Sequence, residues 1–305
     1  MNYITIDGGT TNTRVNLVVN NIIHKTIKLS VGAKAGIDGR DILVNSVREA
    51  ITTLTDECAD IKAVLASGMI TSEFGLYKVD HIHAPAGIKE LHDSICTVNL
   101  AGISDIPFSF IPGIILSGNN LSQTDMMRGE ETELAGLNNE LEANCIYVLP
   151  GSHSKIIQLD SLGRICRFST MLTGEMIYSL TENTILKSVV DLNQKETDNE
   201  YLIKGYEYCE SSGINETLFK VRVLNNVYNC NKKQIYSFFM GAVLHDEIKK
   251  ICQLEEPKVI IGGKNQIKKA THTLITHYSD KNAICAPDES ADNAASRGAI
   301  KIFEY

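Results

Sequence analysis

The chain has 305 residues, a formal charge of −8, 43% hydrophobic residues and 22% charged ones, a soluble globular composition with length enough for two domains, each with its own core. The negative balance argues against nucleic acid as a partner, since phosphate backbones demand a basic face, and no apolar run approaches the roughly 20 residues of a membrane span. The first apolar run, Tyr3 to Ile6, is broken by Asp7 with no basic flank and does not resemble a signal peptide, and the eight cysteines are scattered without a C-x-x-C pair, as reduced thiols of a cytoplasmic protein are.

In chain order, residues 3–7 read as an apolar strand that runs into IDGGTTNTR (6–14), a stretch with more small and hydroxylated positions than the about two that a hairpin turn requires. NTRVNLVV (12–19) alternates as a second strand, Asn20 and Asn21 turn the chain, and IIHKTIKLS (22–30) is a third. A helix is predicted over 40–58, with Ile42, Leu43, Val47, Ala50, Ile51 and Leu54 on one face, and a buried strand over 62–70. The pattern then returns: CIYVLPG (145–151), SKIIQLD (154–160), the turn DSLG and RICRFST (164–170) form a second meander, so the chain reads as a duplicated α/β unit. The polar stretch NNELEAN (138–144) is the predicted linker, dividing a domain over 1–142 from one over 143–305. Helical structure is predicted within 195–231, over 232–251 and in ADNAASRGAIKIF (291–303), with a strand, a Gly-Gly break and a helix across 257–267.

Two such turns suit phosphate chemistry. Backbone N–H groups and hydroxyls converge there with little Cβ bulk to hold an anion away. Asp7 sits too near those donors for a bare phosphate cradle unless a divalent cation intervenes, and Mg²⁺ held by one carboxylate with phosphate oxygens in its other positions fits that arrangement. DGGTTNT and PGSHSK therefore read as a two-sided nucleotide clamp. The phosphate contacts are Gly8, Gly9, Thr10, Thr11 and Asn12 on one side and Gly151, Ser152, His153, Ser154 and Lys155 on the other, with a solvated lysine as the alternative at Lys155. Backbone at Gly262 and Gly263 can approach the flat face of an adenine.

In this order and spacing, IDGGTTNTR, VLPGSHSKI and VIIGGKNQI resemble the two phosphate motifs and the adenosine motif of the actin, hexokinase and Hsp70 ATPase superfamily. The resemblance implies duplicated ribonuclease H-like domains, each a mixed five-stranded sheet with flanking helices, and a cleft between them. More narrowly, ITIDGGTTNTR, SGMITS (67–72), APAG (84–87), IPGI (111–114), DMMRGEETELAG (125–136), LPGSHSK (149–155), FSTMLTGEM (168–176) and SRGA (296–299) resemble the 2-dehydro-3-deoxygalactonokinase family. That implies transfer of the ATP γ-phosphoryl group to the 6-hydroxyl of 2-dehydro-3-deoxy-D-galactonate, with ATP and Mg²⁺ as cofactors, the sugar acid as partner and a homodimer as one possible assembly. Where the family usually carries DWGTT, this chain has Gly8 and no tryptophan at all.

Kinase chemistry needs positioning, charge neutralisation and one carboxylate to deprotonate the attacking hydroxyl. DMMRGEETELAG supplies Asp125, Glu130 and Glu131 beside Arg128. Asp125 is favoured as base because a loop position reaches a hydroxyl more freely than a helical one, with Glu130 next. Arg128 matches the sugar-acid carboxylate bidentately, a salt bridge to a neighbouring glutamate being the alternative. Ser67, Gly68 and Met69, at a strand end, together with Pro85, Ala86 and Gly87, are the expected substrate contacts. His81 and His83 pack or hydrogen-bond more readily than they form a metal pair, and Thr173 resembles a helix N-cap. Three other readings stand beside this one: another sugar or acid kinase on the same scaffold, an exopolyphosphatase or guanosine-pentaphosphate phosphohydrolase with water as acceptor, and a nucleotide-dependent binding protein.

Overall fold

A computed structural model describes residues 1–35, 39–137, 142–263 and 266–305. Residues 138–141 of the predicted linker therefore lie outside the described residues. The chain forms two compact units, the first of residues 1–143, 159–168 and 289–305 and the second of residues 144–158 and 169–288.

In chain order the first unit contains β1 (Asn2–Gly8), β2 (Thr13–Val19), β3 (Ile22–Leu29), α1 (Arg40–Thr55), β4 (Ile61–Gly68), β5 (Ile82–His83), α2 (Ile88–Asp93), β6 (Cys96–Val98), β7 (Phe108–Phe110), β8 (Ile114–Leu116), β9 (Asp125–Met127) and α3 (Glu130–Leu137). The main sheet has the order β3-β2-β1-β4-β7-β6, and β5, β8 and β9 form a small second sheet. The meander β1-β2-β3 is antiparallel, β4 runs parallel to β1, and β7 runs parallel to β4. Five strands were expected, and among the described residues this sheet has six. The sixth, β6, is a three-residue antiparallel edge, too short to carry a readable alternation; its Thr97 hydroxyl meets Ser109 at 2.9 Å.

The second unit contains β10 (Ile146–Leu149), β11 (Ser154–Leu159) up to residue 158, the end of β12 (Ile165–Met171), whose residues 165–168 fall in the first unit, and then α4 (Thr173–Asn183), α5 (Asn199–Asn226), α6 (Lys232–Gln253), β13 (Lys258–Ile261), α7 (Gln266–Tyr278) and β14 (Asn282–Cys285). Its sheet order, β12-β11-β10-β13-β14, repeats the β3-β2-β1-β4-β7 arrangement, with β10 antiparallel to β11 and parallel to β13. The duplication legible in the motifs is thus a duplication of sheet topology. Helix α5 is interrupted at Gly213, whose φ of 77° and ψ of 161° are not helical. Phe238, Phe239, Leu244, Ile248 and Ile251 of α6 lie in the core of this unit, the apolar stripe foreseen for 232–251. No described helix is long and apolar enough to cross a membrane.

The chain ends in α8 (Asp288–Asp292) and α9 (Ala294–Phe303). Side chains alternate across a strand, and β1 shows how that places the site. Ile4 and Ile6 share the cluster that includes Leu43, Val47 and Ile51 of α1. On the other face the Tyr3 hydroxyl donates to Glu304 at 2.7 Å and the Thr5 hydroxyl meets Ser296 of α9 at 2.7 Å. Helix α9 crosses α3 where Gly136 and Gly298 leave no room for a Cβ, the nearest backbone oxygens lying at 1.9 and 1.8 Å from its ideal position. Asp7, the next odd residue of β1, belongs to the face that these two helices cover.

Candidate active site

In the first unit, Asp7 pairs with Arg14 across β2 and with Ser67 across β4. Burial raises the Asp7 carboxyl pKa, Arg14 opposes that, and Glu130 adds to it. Glu133, one helical turn beyond Glu130 and so on the same helix face, is pushed up to about 7, by burial first and then by Asp7 and Glu130, with Arg14 again opposing. Three carboxylates and one guanidinium therefore act as a single electrostatic cluster. Like-charged carboxylates at one site raise one another's pKa, and a divalent cation would relieve the crowding. No described group of three or more His, Cys, Asp or Glu could hold a metal by itself, but Mg²⁺ typically takes one or two carboxylates and completes its shell with water and phosphate oxygens. The donor set at Asp7 fits that habit.

Glycines let the backbone converge here. Gly8 and Gly68 pair across β1 and β4, and Gly68 has φ 80° and ψ −157°, a region open essentially to glycine alone. An ideal Cβ on Gly68 would lie 2.5 Å from the Gly8 carbonyl oxygen, and one on Gly129 would lie 3.1 Å from the Gly68 Cα. The MRGEE segment thus rests directly on the ends of the two central strands. Gly8 itself has no room for a side chain, since its ideal Cβ lies 2.6 Å from that of Ile70. Beyond it the turn closes with the Gly9 N–H donating to Asn12 at 2.8 Å, while the Gly9 and Thr10 carbonyls accept from Ala33 and Lys34 at 3.1 and 2.8 Å. Thr10, Thr11 and Asn12 stand exposed above that support.

The three candidate bases occupy different settings. Asp125 is not in a loop: it lies on β9 opposite Leu116 and accepts from the Met126 N–H at 2.7 Å, because the run DMM adds an antiparallel strand that its length disguised. Glu131 is fully buried, accepts the Gly129 N–H on both oxygens at 2.8 Å, and is raised to about 7 by burial and then by Glu130. Glu130 opens α3, half-buried, and accepts the Arg128 N–H at 3.1 Å. The Arg128 guanidinium is spent on its own unit. Nη1 donates to the Thr71 carbonyl at 3.0 Å and to the Thr71 hydroxyl, and Nη2 donates to the Val79 carbonyl at 2.9 Å and meets His81 Nδ1 at 3.1 Å. His81 is lowered to about 4 by burial and by Arg128. His83 meets Ser117 at 3.1 Å instead.

Among the other expected contacts, Ser67, the last residue but one of β4, is almost fully buried, and Met69 begins a 3₁₀ turn over Met69–Thr71. Pro85 follows a cis peptide bond and is exposed, Ala86 is buried in a bridge with Ile165, and the Gly87 N–H donates to Glu90 at the start of α2.

In the second unit, the Gly151 and Ser152 carbonyls accept from the N–H groups of Gly174 and Glu175 at 3.1 and 3.2 Å, and His153 Nε2 meets Glu175 at 3.0 Å. Thr173 is the first residue of α4; its N-cap is Leu172. The Thr173 hydroxyl, expected to cap the helix, donates instead to Glu247 at 2.6 Å. Lys155 is not solvated but 3% exposed on β11, opposite Leu149. The Gly262 N–H donates to Val148 at 2.8 Å, and Gly263 approaches Pro150 so that an added Cβ would lie 3.2 Å from its carbonyl oxygen. The turn of the second phosphate motif and that of the adenosine motif are therefore packed together.

Arg14, Glu133 and Glu247 were missed from sequence. Arg14 was legible by counting back across the hairpin from Asp7, and Glu133 by its helical spacing from Glu130. Glu247 shows as a carboxylate within the buried row Leu244, Ile248 and Ile251 of α6.

A meander with two added parallel strands, built twice, with a glycine turn after the first strand of each copy, is a fold of the actin- and hexokinase-like type. A structure from Sinorhizobium meliloti described as a candidate 2-dehydro-3-deoxygalactonokinase superposes with a TM-score of 0.76 at 20% identity, over 98% of this chain and 97% of that one. The chain belongs to the 2-keto-3-deoxy-galactonokinase family, which matches residues 7–302. It is 26% identical over 248 residues to the 2-dehydro-3-deoxygalactonokinase of Escherichia coli K12, covering 81% of this chain and 79% of that enzyme. The fold also resembles the activator of 2-hydroxyisocaproyl-CoA dehydratase from Clostridium difficile, solved with bound ADPNP, at a TM-score of 0.52 and 13% identity over 100% of this chain and 95% of that one.

Proposed function

We propose that this chain is a cytoplasmic kinase that transfers the γ-phosphoryl group of ATP to the 6-hydroxyl of 2-dehydro-3-deoxy-D-galactonate. The observation that carries the reading is the Asp7, Arg14, Glu130 and Glu133 cluster, built on the strand ends that the family's first motif occupies. In this reading the 8–12 turn of the first unit and, in the second unit, the 151–155 turn each offer backbone N–H groups and hydroxyls suited to phosphate, and the Gly262–Gly263 turn beside the latter suits the adenine. Asp7 would hold Mg²⁺, which would neutralise charge on the phosphates.

Glu130 is the proposed base. Its carboxylate is half-buried and electrostatically coupled to Asp7 and Glu133, whereas both oxygens of Glu131 are committed to Gly129 and Asp125 is held in a strand. Glu130 takes the proton from the attacking hydroxyl as the phosphoryl group moves to it. Arg128 fixes the Thr71–His81 segment, and so shapes the wall against which the sugar acid lies rather than gripping its carboxylate.

The test is an ADP-release assay over a panel of 2-keto-3-deoxy acids with Glu130→Gln beside wild type. Turnover with the galactonate-derived acid, lost in the variant, supports the proposal. ADP release at the same rate without any acid would point to water as acceptor and overturn it.

A further inference from the structure

Glu247 is an expensive residue to place where it is. It lies in α6, 2% exposed, in the apolar row that α6 turns toward the core, and a buried carboxyl carries a cost unless its oxygens find partners. Burial pushes its carboxyl up, while the hydrogen bond from Thr173 pulls the other way. Its Oε2 accepts from the Thr173 hydroxyl at 2.6 Å, whereas Oε1 has no hydrogen-bond partner among the described residues. Thr173 belongs to the support of the second phosphate turn. Ser154 closes the turn by accepting the Gly151 N–H at 3.4 Å. Thr173 opens α4, whose next two N–H groups hold the Gly151 and Ser152 carbonyls.

The contact leaves no slack. An ideal Cβ on Gly174 would lie 2.4 Å from the Gly151 carbonyl oxygen and 2.7 Å from the Ser152 Cα, so any shift of α4 moves the turn with it. A buried threonine needs no carboxylate for its own satisfaction. Thr181 in the same helix, 3% exposed, bonds back to the Ile177 carbonyl at 2.8 Å, a common habit of helical threonines.

We infer that Glu247 is the positioning residue of the second phosphate turn: through Thr173 its carboxyl fixes the start of α4, and with it residues 151–154, in the geometry that binds nucleotide phosphate. The inference rests on reading that turn as a nucleotide site. It predicts that nucleotide affinity depends on an acceptor oxygen at position 247, not on the charge of a carboxylate.

The test is calorimetric titration with Mg²⁺ and the ATP analogue AMP-PNP, without sugar acid, on wild type, Glu247→Gln, Glu247→Leu, Thr173→Val and, as a control for loss of a buried hydroxyl in the same helix, Thr181→Val. Glu247→Gln, which keeps an acceptor, is expected within about threefold of wild type. Glu247→Leu and Thr173→Val are expected to weaken binding about tenfold, the effect of one lost well-placed hydrogen bond. In steady state the KM for ATP should rise by the same factor while kcat at saturating ATP holds. Wild type that binds no nucleotide would defeat the kinase reading itself. Wild type that binds, with Thr173→Val no weaker than Thr181→Val, would overturn the role of Glu247, and should Glu247→Leu fail to fold, Thr173→Val decides. Binding lost equally in Glu247→Gln and Glu247→Leu would also overturn it.

Discussion

Replacing Gly68 with alanine tests whether the close approach of three backbone segments sets the geometry at Asp7. The native φ of 80° and ψ of −157° cost a residue with a side chain about 1–3 kcal/mol. The added Cβ would meet the Gly8 carbonyl oxygen at 2.5 Å, about 1 Å inside ordinary contact, and overpacking of that kind costs about 1–3 kcal/mol more. A loss of about 4 kcal/mol lowers the melting temperature of a domain this size by about 8–16 °C. The strand end that must yield carries Asp7, and a misplacement of about 1 Å can cost about 100-fold in rate. Thermal unfolding followed by circular dichroism and the ADP-release rate read the two effects on one preparation. Gly102→Ala is the matched control, since an ideal Cβ there meets nothing within 4 Å. A Gly68→Ala protein that melts and turns over like Gly102→Ala would refute the reasoning.

Glu130→Gln should lower kcat by at least about 100-fold, the usual scale for loss of a general base, while Asp125→Asn stays within about tenfold; the reverse pattern in steady-state kinetics would return the role to Asp125. The Glu131 carboxyl is raised from 4.5 to about 7, so the folded state holds a proton that the unfolded state has lost between those values. Its contribution is fully present below pH 4.5 and is lost as pH rises through 7, a decline of about 3 kcal/mol at about 1.4 kcal/mol per unit. Glu131→Gln should flatten this fall in urea denaturation at pH 5 and pH 8, and identical slopes in the two proteins would speak against it. Asp7→Asn should abolish turnover at millimolar Mg²⁺ with little change in melting temperature, and retention of the wild-type rate would remove Asp7 from the metal site.

Much of the fold was legible because the motifs sit where strands stop. Periodicity located β1 to β4 and β10 to β12 to within a few residues, since each is an apolar or alternating run beside turn residues such as glycine, asparagine or serine. It failed on β5 to β9, two- and three-residue strands whose existence depends on the partner beside them rather than on their own pattern. The same failure misplaced Asp125 in a loop. Arg14 and Glu133 escaped because a charged residue facing a neighbour across a hairpin or along a helix looks, in sequence, like one facing solvent. Lys155 was ambiguous for a related reason: burial of a lysine at 3% exposure is decided by what packs over the strand, which no local spacing reveals. Thr173 sat one residue from its expected place at the helix start, and the cap it resembled turned out to be a tie to Glu247.

The most direct test follows the phosphorus. Wild-type protein incubated with ATP, Mg²⁺ and 2-dehydro-3-deoxy-D-galactonate should show, by ³¹P NMR, a new monophosphate ester coupled to the C6 protons in amounts equal to the ADP formed. Equal ADP accompanied only by inorganic phosphate, with the sugar acid unchanged, would contradict the account.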